Sequence, residues 1–152
     1  MAAEPRPTIH ASVVLCGARA VLIRGPAGAG KSRLAAALIN AASIGLVRFA
    51  RLVADDRVYL EAAHGRLLAR PADALAGLLE VRSLGITRAP FEPVAVIGLV
   101  VDLAATDARR MPTLADAETT VLGVTLRRLA IPADCDPLLS VIVALRSSEC
   151  RH

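Results

Sequence analysis

The chain has 152 residues, of which 55% are hydrophobic and 21% are charged, so it can fold as one domain around one core. Aromatic residues make up only 2% and tryptophan is absent, which disfavours single-stranded nucleic acid as a ligand because its bases stack on aromatic rings. The net charge of +4 comes from scattered arginines and suits an acidic partner without indicating nucleic acid. We predict a loose leader over residues 1–9 and a single domain over 10–152.

The sequence predicts neither export nor membrane insertion. Its first residues lack a basic start followed by a long apolar run, and the apolar run over 94–101 is too short to span a bilayer. We therefore expect a cytoplasmic protein. Cys16, Cys135 and Cys150 are widely spaced and form no CxxC pattern, so we interpret them as free thiols without an assigned role.

Apolar patterning and turn residues predict an alternation of strands and helices. In chain order we predict strands over 10–16 and 20–24, a helix over 31–42, a strand over 51–54, a hairpin of 57–62 and 66–70, a segment over 79–86 that includes Glu80, a strand over 94–103, one or two short strands within 121–131, and a helix over 137–147. The near-continuous apolar run of the strand over 94–103 indicates burial on both faces. The hairpin formed by the first two strands argues against a doubly wound parallel sheet.

A glycine-rich stretch between the second strand and the first helix fits the phosphate-loop pattern G-x-x-x-x-G-K-[ST] at every specified position. It consists of Gly25, Pro26, Ala27, Gly28, Ala29, Gly30, Lys31 and Ser32. Such a loop turns backbone N–H groups around a polyphosphate at a helix N-terminus, with the lysine on the β and γ phosphates and the hydroxyl on Mg²⁺. Lys31 is the only lysine in the chain, which supports a specific need for it there.

Two successive carboxylates, Asp55 and Asp56, follow the predicted strand over 51–54. On an extended chain adjacent side chains point to opposite sides, so one carboxylate can face Mg²⁺ and the other an incoming hydroxyl. Alternatively, the pair is a solvated acidic turn.

Three further residues are weaker candidates. Glu80 lies between apolar neighbours, which favours a carboxylate held for a metal or a cation, although a strand-face Glu is usually solvated. Arg82 would project to the same side if the segment is extended, where it could pair with Glu80 or contact phosphate. A lone histidine such as His10 at a strand start is usually structural.

Together these residues resemble the catalytic core of the bacterial HPr kinase/phosphorylase family over residues 10–100. The resemblance is carried by His10 with Val13-Val14, by residues 20–32, by Leu52-Val53-Ala54-Asp55-Asp56, and by Leu79-Glu80-Val81-Arg82-Ser83-Leu84-Gly85-Ile86. It implies an α/β fold: a phosphate-loop kinase core with a mixed, largely antiparallel sheet, similar to that of phosphoenolpyruvate carboxykinase.

The resemblance also implies a function. Family members transfer the γ phosphate of ATP, with Mg²⁺, to a serine of HPr, the phosphocarrier of the sugar phosphotransferase system, and can run a phosphorolytic reverse reaction. By matching position, residues 25–32 would hold the phosphates, with Lys31 catalytic and Ser32 on the metal. Asp55 would act as the base toward the serine hydroxyl with His10 orienting it, and Asp56 and Glu80 would lie on the metal side. Arg82 is a candidate for contact with phosphate or substrate through its spacing from Glu80 and not through the resemblance.

The chain departs from the family pattern in three places. Long members carry a separate N-terminal domain, whereas nine residues precede His10 here, as in a core-only form. Ser83 stands at the first glycine of the family's Glu-x-Arg-Gly-x-Gly segment. The Pro-Gly-Arg-Asn segment that serves dephosphorylation has no match, because Ile131-Pro132-Ala133-Asp134-Cys135-Asp136 stands in that region. We therefore expect kinase activity with weak or absent phosphorylase activity.

Two other functions remain open at this point. One is a phosphate-loop kinase with another acceptor, and the other is a non-catalytic ATP-binding sensor that is read by a partner protein. Because long family members form hexamers, we also expect a homo-oligomer.

Overall fold

The computed structural model describes residues 7–149, and its secondary structure comprises ten strands, two α-helices and one short 3₁₀ turn within that range. In chain order the elements are β1 (Ser12–Cys16), β2 (Arg19–Arg24), α1 (Lys31–Ser43), β3 (Ala50–Ala54), β4 (Val58–Ala63), β5 (Arg66–Pro71), the 3₁₀ turn (Asp73–Leu75), β6 (Leu78–Val81), β7 (Gly85–Arg88), β8 (Ala95–Leu103), β9 (Glu118–Val121), β10 (Val124–Ile131) and α2 (Pro137–Glu149). Residues 1–6 of the predicted leader lie outside the described residues.

The main sheet has the strand order β3-β1-β2-β8-β10-β9, and the β4–β5 hairpin joins it through a pairing of β5 with β8. Strand β8 runs parallel to β2 and to β10, and the other pairings in this sheet are antiparallel. Strands β6 and β7 form a separate antiparallel hairpin. The prediction of a mixed, largely antiparallel α/β fold is therefore confirmed.

Both faces of the sheet are buried, because the apolar side chains along its strands point alternately into two hydrophobic cores. One core contains Val21 and Ile23 of β2 together with Leu34 and Leu38 of α1. The other contains Leu22 of the same strand and is closed by the β4–β5 hairpin. Strand β8 contributes to both cores, which confirms the predicted burial of both of its faces.

Helix α1 follows the phosphate-loop sequence directly and ends where its sequence places a glycine. Gly45 has a φ of 79°, in the left-handed region that glycine adopts without strain. The N–H of Gly45 donates to the carbonyl of Ala42, and the N–H of Leu46 donates to that of Ala41. These two bonds form a Schellman motif, which satisfies the last carbonyls of the helix.

Two segments differ from the predicted elements. Residues 79–86 are not one extended segment: β6 ends at Val81, a turn follows, and β7 begins at Gly85. The residues within 121–131 belong to two strands of a hairpin, and its first strand, β9, already begins at Glu118. The reason in both cases is a tight turn that contains non-glycine residues with positive φ, Ser83 (70°) and Leu122 (49°). Gly85 and Gly123, which also have positive φ, were the available turn signals, whereas the Leu122 side chain gives none.

Within residues 7–149, neither helix is long and apolar enough to cross a bilayer.

Candidate functional site

The phosphate-loop sequence connects β2 to α1 and leaves the helix N-terminus open to an anion. Gly30 is the N-cap residue with a φ of 97°, and no side chain of the described residues caps the helix there. The first turn of α1 contains no acidic residue. The N–H groups of a first helical turn carry a partial positive charge and lack partners within the helix. This loop can therefore receive a phosphate group without displacing a side-chain cap.

Lys31 lies against the loop that precedes it. Its Nζ donates hydrogen bonds to the carbonyl of Gly25 at 2.7 Å and to that of Pro26 at 3.1 Å. The loop's own turn is closed by a bond from the N–H of Ala29 to the carbonyl of Pro26. The ammonium group is thus held at the loop, where an anion would meet it.

The carboxylate of Asp55 meets the hydroxyl of Ser32 directly beyond the loop. The Ser32 Oγ lies 2.8 Å from Oδ1 and 2.9 Å from Oδ2 of Asp55. Asp55 is only 4% exposed, and it also accepts hydrogen bonds from the Ser12 hydroxyl at 2.6 Å and from the backbone N–H of Glu80 at 3.1 Å. These contacts satisfy the buried carboxylate and hold it beside the first turn of α1.

Asp56 lies in a different environment from its neighbour. It is exposed, and its Oδ1 lies 3.5 Å from Nδ1 of His10, whose side chain is also exposed. Asp56 has a φ of 70°, and the N–H of Arg57 reaches back to the carbonyl of Asp55 at 2.8 Å. This three-residue turn, rather than strand alternation, sends the two carboxylates in different directions.

The side chains of Glu80 and Arg82 are more exposed, and farther from forming a pair, than their spacing in an extended segment would imply. The backbone of Glu80 contacts Asp55, whereas its side chain is exposed. Arg82 is exposed in the turn after β6. Among the ion pairs of the described residues, none joins Glu80 to Arg82.

Sequence reasoning missed one residue of this site, Ser12. Its hydroxyl is fully buried on β1 and bonded to Asp55. The available signal was a single hydroxyl at the start of an otherwise apolar strand, since buried polar groups require a partner. That signal does not identify the partner, which lies 43 residues further along the chain.

The remaining ligand-forming side chains do not gather into a second site. Across residues 7–149 there is no group of three or more His, Cys, Asp or Glu side chains that could hold a metal ion. Cys16 is partly buried, and burial raises the pKa of its thiol to about 12, which leaves it protonated and unreactive at neutral pH. Cys135 is exposed, and Cys150 lies outside the described residues.

The fold and this site define a class: a mixed α/β protein with an anion-receiving loop and a hydroxyl–carboxylate pair beside it. The family model described as "HPr Serine kinase C-terminal domain" matches residues 2–151. The chain therefore belongs to this family.

Individual relatives support the assignment. The chain is similar to the HPr kinase/phosphorylase of Clostridium tetani, with 28% identity over 97% of this chain and 50% of the relative. It is similar to the enzyme of the same name from Streptococcus thermophilus, with 42% identity over 53% of this chain and 24% of the relative. The chain thus spans about half, or less, of the length of these curated relatives.

A solved structure shares the fold. The HPr(Ser) kinase/phosphatase of Coxiella burnetii aligns with a TM-score of 0.74 and 22% identity, over 95% of this chain and 97% of that chain. At this identity the match concerns the fold alone.

Proposed function

We propose that the chain is an ATP-dependent serine kinase that phosphorylates an HPr-like phosphocarrier, acting in the cytoplasm as a homo-oligomer. The proposal rests on one observation, the hydrogen bond between Ser32 and Asp55. Ser32 is the last residue of the loop, and Asp55 is the first of the two carboxylates that follow β3. In phosphate-loop enzymes this combination of hydroxyl and carboxylate holds the metal ion beside the phosphates. The phosphate-loop kinase core and its likeness to phosphoenolpyruvate carboxykinase remain part of this proposal.

The site suits Mg²⁺ by the chemistry of its donors. Mg²⁺ prefers oxygen ligands, keeps several waters and takes one or two protein carboxylates together with substrate phosphates. Ser32 and Asp55 would hold it, and Glu80, whose backbone N–H donates to Asp55, would add a carboxylate from β6. When bound, the ion supplies positive charge to the phosphate oxygens.

We propose that Asp56, rather than Asp55, receives the proton of the acceptor hydroxyl. Asp55 is buried and already accepts bonds from two hydroxyls and one N–H, so an acceptor protein cannot reach it. Asp56 is exposed to an incoming protein, and His10 lies beside it to orient the carboxylate. This division of roles reverses the one that the resemblance alone implied for the two carboxylates.

We propose that the phosphorylase activity of this protein is weak or absent. The segment over 131–136 contains no arginine. In the structure it forms a turn, with the N–H of Cys135 on the carbonyl of Pro132, and Asp136 then accepts a bond from the N–H of Leu138 as the cap of α2. A capping carboxylate stabilises a helix N-terminus but cannot neutralise a phosphate.

The test is transfer from labelled ATP with Mg²⁺ to purified HPr, compared between the unaltered protein, Lys31→Ala and Glu61→Gln. We expect serine phosphorylation that falls at least ~100-fold in Lys31→Ala, because the loop loses its one ammonium group. Glu61→Gln removes a surface carboxylate of β4, which is paired with Arg70 at 3.9 Å, and should leave the rate unchanged.

Other outcomes separate the competing functions. Tight ATP binding without transfer to HPr, followed by transfer to another acceptor in a screen, would identify a kinase with a different substrate. ATP binding without transfer to any acceptor would identify a sensor. Efficient phosphate-driven release of pyrophosphate from serine-phosphorylated HPr would contradict the weak phosphorylase activity.

A further inference from the structure

Asp102 is the penultimate residue of the apolar strand β8 and lies beside the residue that precedes the phosphate loop, but its carboxylate is bonded to arginines and is not free for a metal ion. Strand β8 is parallel to β2, and Asp102 is in register with Arg24, the last residue before the loop. In many phosphate-loop enzymes a carboxylate at the end of a strand helps to hold the metal. Here arginines donate to both oxygens of Asp102, Arg24 to Oδ1 and both Arg24 and Arg128 to Oδ2, while Asp55 contacts Ser32 instead.

The carboxylate of Asp102 links three neighbouring strands, β2, β8 and β10. Arg24 of β2 donates to it twice, from Nε at 2.7 Å and from Nη2 at 2.9 Å, in a bidentate pair. Arg128 of β10 donates from Nε at 2.6 Å and continues with two bonds, of 2.8 and 3.0 Å, to Asp107. Asp102 and Arg128 are only 16% and 14% exposed, so solvent screens this part of the network weakly.

Two routes connect Asp102 to the phosphate loop. The first is covalent, because Arg24 immediately precedes Gly25. The second is a packing contact: a Cβ placed on Gly25 would lie 3.1 Å from the carbonyl oxygen of Leu103 and 3.2 Å from its Cβ. Gly25 therefore packs closely against Leu103, the residue that follows Asp102. Since the carbonyl of Gly25 also accepts the bond from Lys31, a shift there would move the ammonium group as well.

We propose that Asp102 is a positioning residue for the phosphate loop: by holding Arg24 and the backbone at Leu103, it sets the position of Gly25 and thereby the loop's affinity for a nucleotide. Arg128 supports the carboxylate from β10, and within residues 7–149 its side-chain hydrogen bonds go to Asp102 and Asp107 and not to the loop. This inference rests on the proposed nucleotide site and extends it to residues outside the loop.

The experiment compares Asp102→Asn, Arg24→Gln, their double variant and Arg128→Gln by calorimetric titration with MgADP and by thermal unfolding. We expect Asp102→Asn and Arg24→Gln each to weaken MgADP binding ~10-fold, and the double variant to bind no more weakly than Asp102→Asn, because both remove one linkage. Arg128→Gln should lower the melting temperature yet leave MgADP affinity within about twofold, since Asp102 keeps its bidentate partner.

Equal weakening by Asp102→Asn and Arg128→Gln would overturn the proposal, because a merely structural network would affect both alike. Unchanged affinity in Arg24→Gln would also overturn it, and that variant keeps the test valid if Asp102→Asn does not fold. If the unaltered protein binds no MgADP, the proposed function fails instead. In that case the proposal is tested by amide hydrogen exchange over residues 25–34. Exchange there should be faster in Asp102→Asn and unchanged in Arg128→Gln.

Discussion

At the scale of single residues, the adjacent carboxylates Asp55 and Asp56 differ by their burial and not by their chemistry. Asp55 is enclosed among hydroxyl and N–H donors, whereas Asp56 is exposed beside His10. The turn at Asp56, with its positive φ, produces this separation. Aspartate adopts this left-handed conformation more readily than most residues with a side chain, and at Asp56 it is used to turn the chain.

Neutralising the two carboxylates should therefore have different effects. Asp56→Asn should lower phosphate transfer ~10²–10⁴-fold with MgATP affinity nearly unchanged, because the acceptor loses its base while the loop is intact. Asp55→Asn should weaken MgATP binding and destabilise the fold by about 1–3 kcal/mol, because the amide cannot accept all three hydrogen bonds.

Calorimetric affinity, single-turnover transfer and thermal unfolding of the two variants check this prediction. Transfer that survives in Asp56→Asn and disappears in Asp55→Asn, with binding intact, would restore the opposite assignment.

At the scale of elements, the β6–β7 hairpin carries a turn that its sequence does not suit. Ser83 has a φ of 70° at the position where the resembled family has a glycine. This conformation costs a side-chain-bearing residue ~1–2 kcal/mol, whereas glycine adopts it freely. The hairpin also supplies the N–H of Glu80 to Asp55, so the quality of its turn affects the site.

We expect Ser83→Gly to stabilise the protein by roughly 0.5–1 kcal/mol. Glycine removes the backbone strain at this position, and its greater conformational entropy in the unfolded chain offsets part of that gain. Ser140→Gly is a matched control, because Ser140 is an exposed residue inside α2 and glycine should destabilise that helix by roughly 0.5 kcal/mol. Denaturant titration measures both changes. A destabilising effect of Ser83→Gly would show that the serine side chain makes a stabilising contribution in the turn.

At the scale of the whole molecule, the network around Asp102 ties β2, β8 and β10 together at one end of the sheet. Burial raises the pKa of Asp102, but the hydrogen bonds and charges of Arg24 and Arg128 outweigh it and hold the pKa below its ordinary value of 3.8. The folded state therefore binds this proton more weakly than the unfolded chain does. The resulting stability is present above the unfolded pKa and is lost as the pH falls through the folded pKa.

We therefore expect the melting temperature of the unaltered protein to exceed that of Asp102→Asn by a constant margin at neutral pH. The margin should shrink below about pH 4, where the carboxylate begins to be protonated in the unfolded chain. Thermal unfolding of both proteins across this range measures the margin. A margin that persists unchanged in strong acid would mean that Asp102 acts through its shape and not its charge.

The sequence by itself determined the features that depend on neighbours in the chain. Local pattern was enough to predict the phosphate loop, the start of α1 at Lys31, its end within one residue of Ser43 and the hairpin of β1 and β2. Motif, turn and periodicity signals of this kind lie within a few residues of one another. They were also enough to indicate the family, which the comparison of residues 2–151 then confirmed.

Only the tertiary structure decided which side chains meet. The bond from Ser12 to Asp55 crosses 43 residues, and the pair of Arg24 with Asp102 crosses 78. Local pattern cannot indicate such partners, because they depend on strand order and register. The parallel pairing of β2 with β8 brings Arg24 to Asp102, and the packing of the loop helix against β3 and β6 brings Ser32 to Asp55. Asp55 is buried, Asp56 is exposed and Asp102 is neutralised by arginines, although all three are the same type of residue. They differ because of the surroundings that the fold gives them.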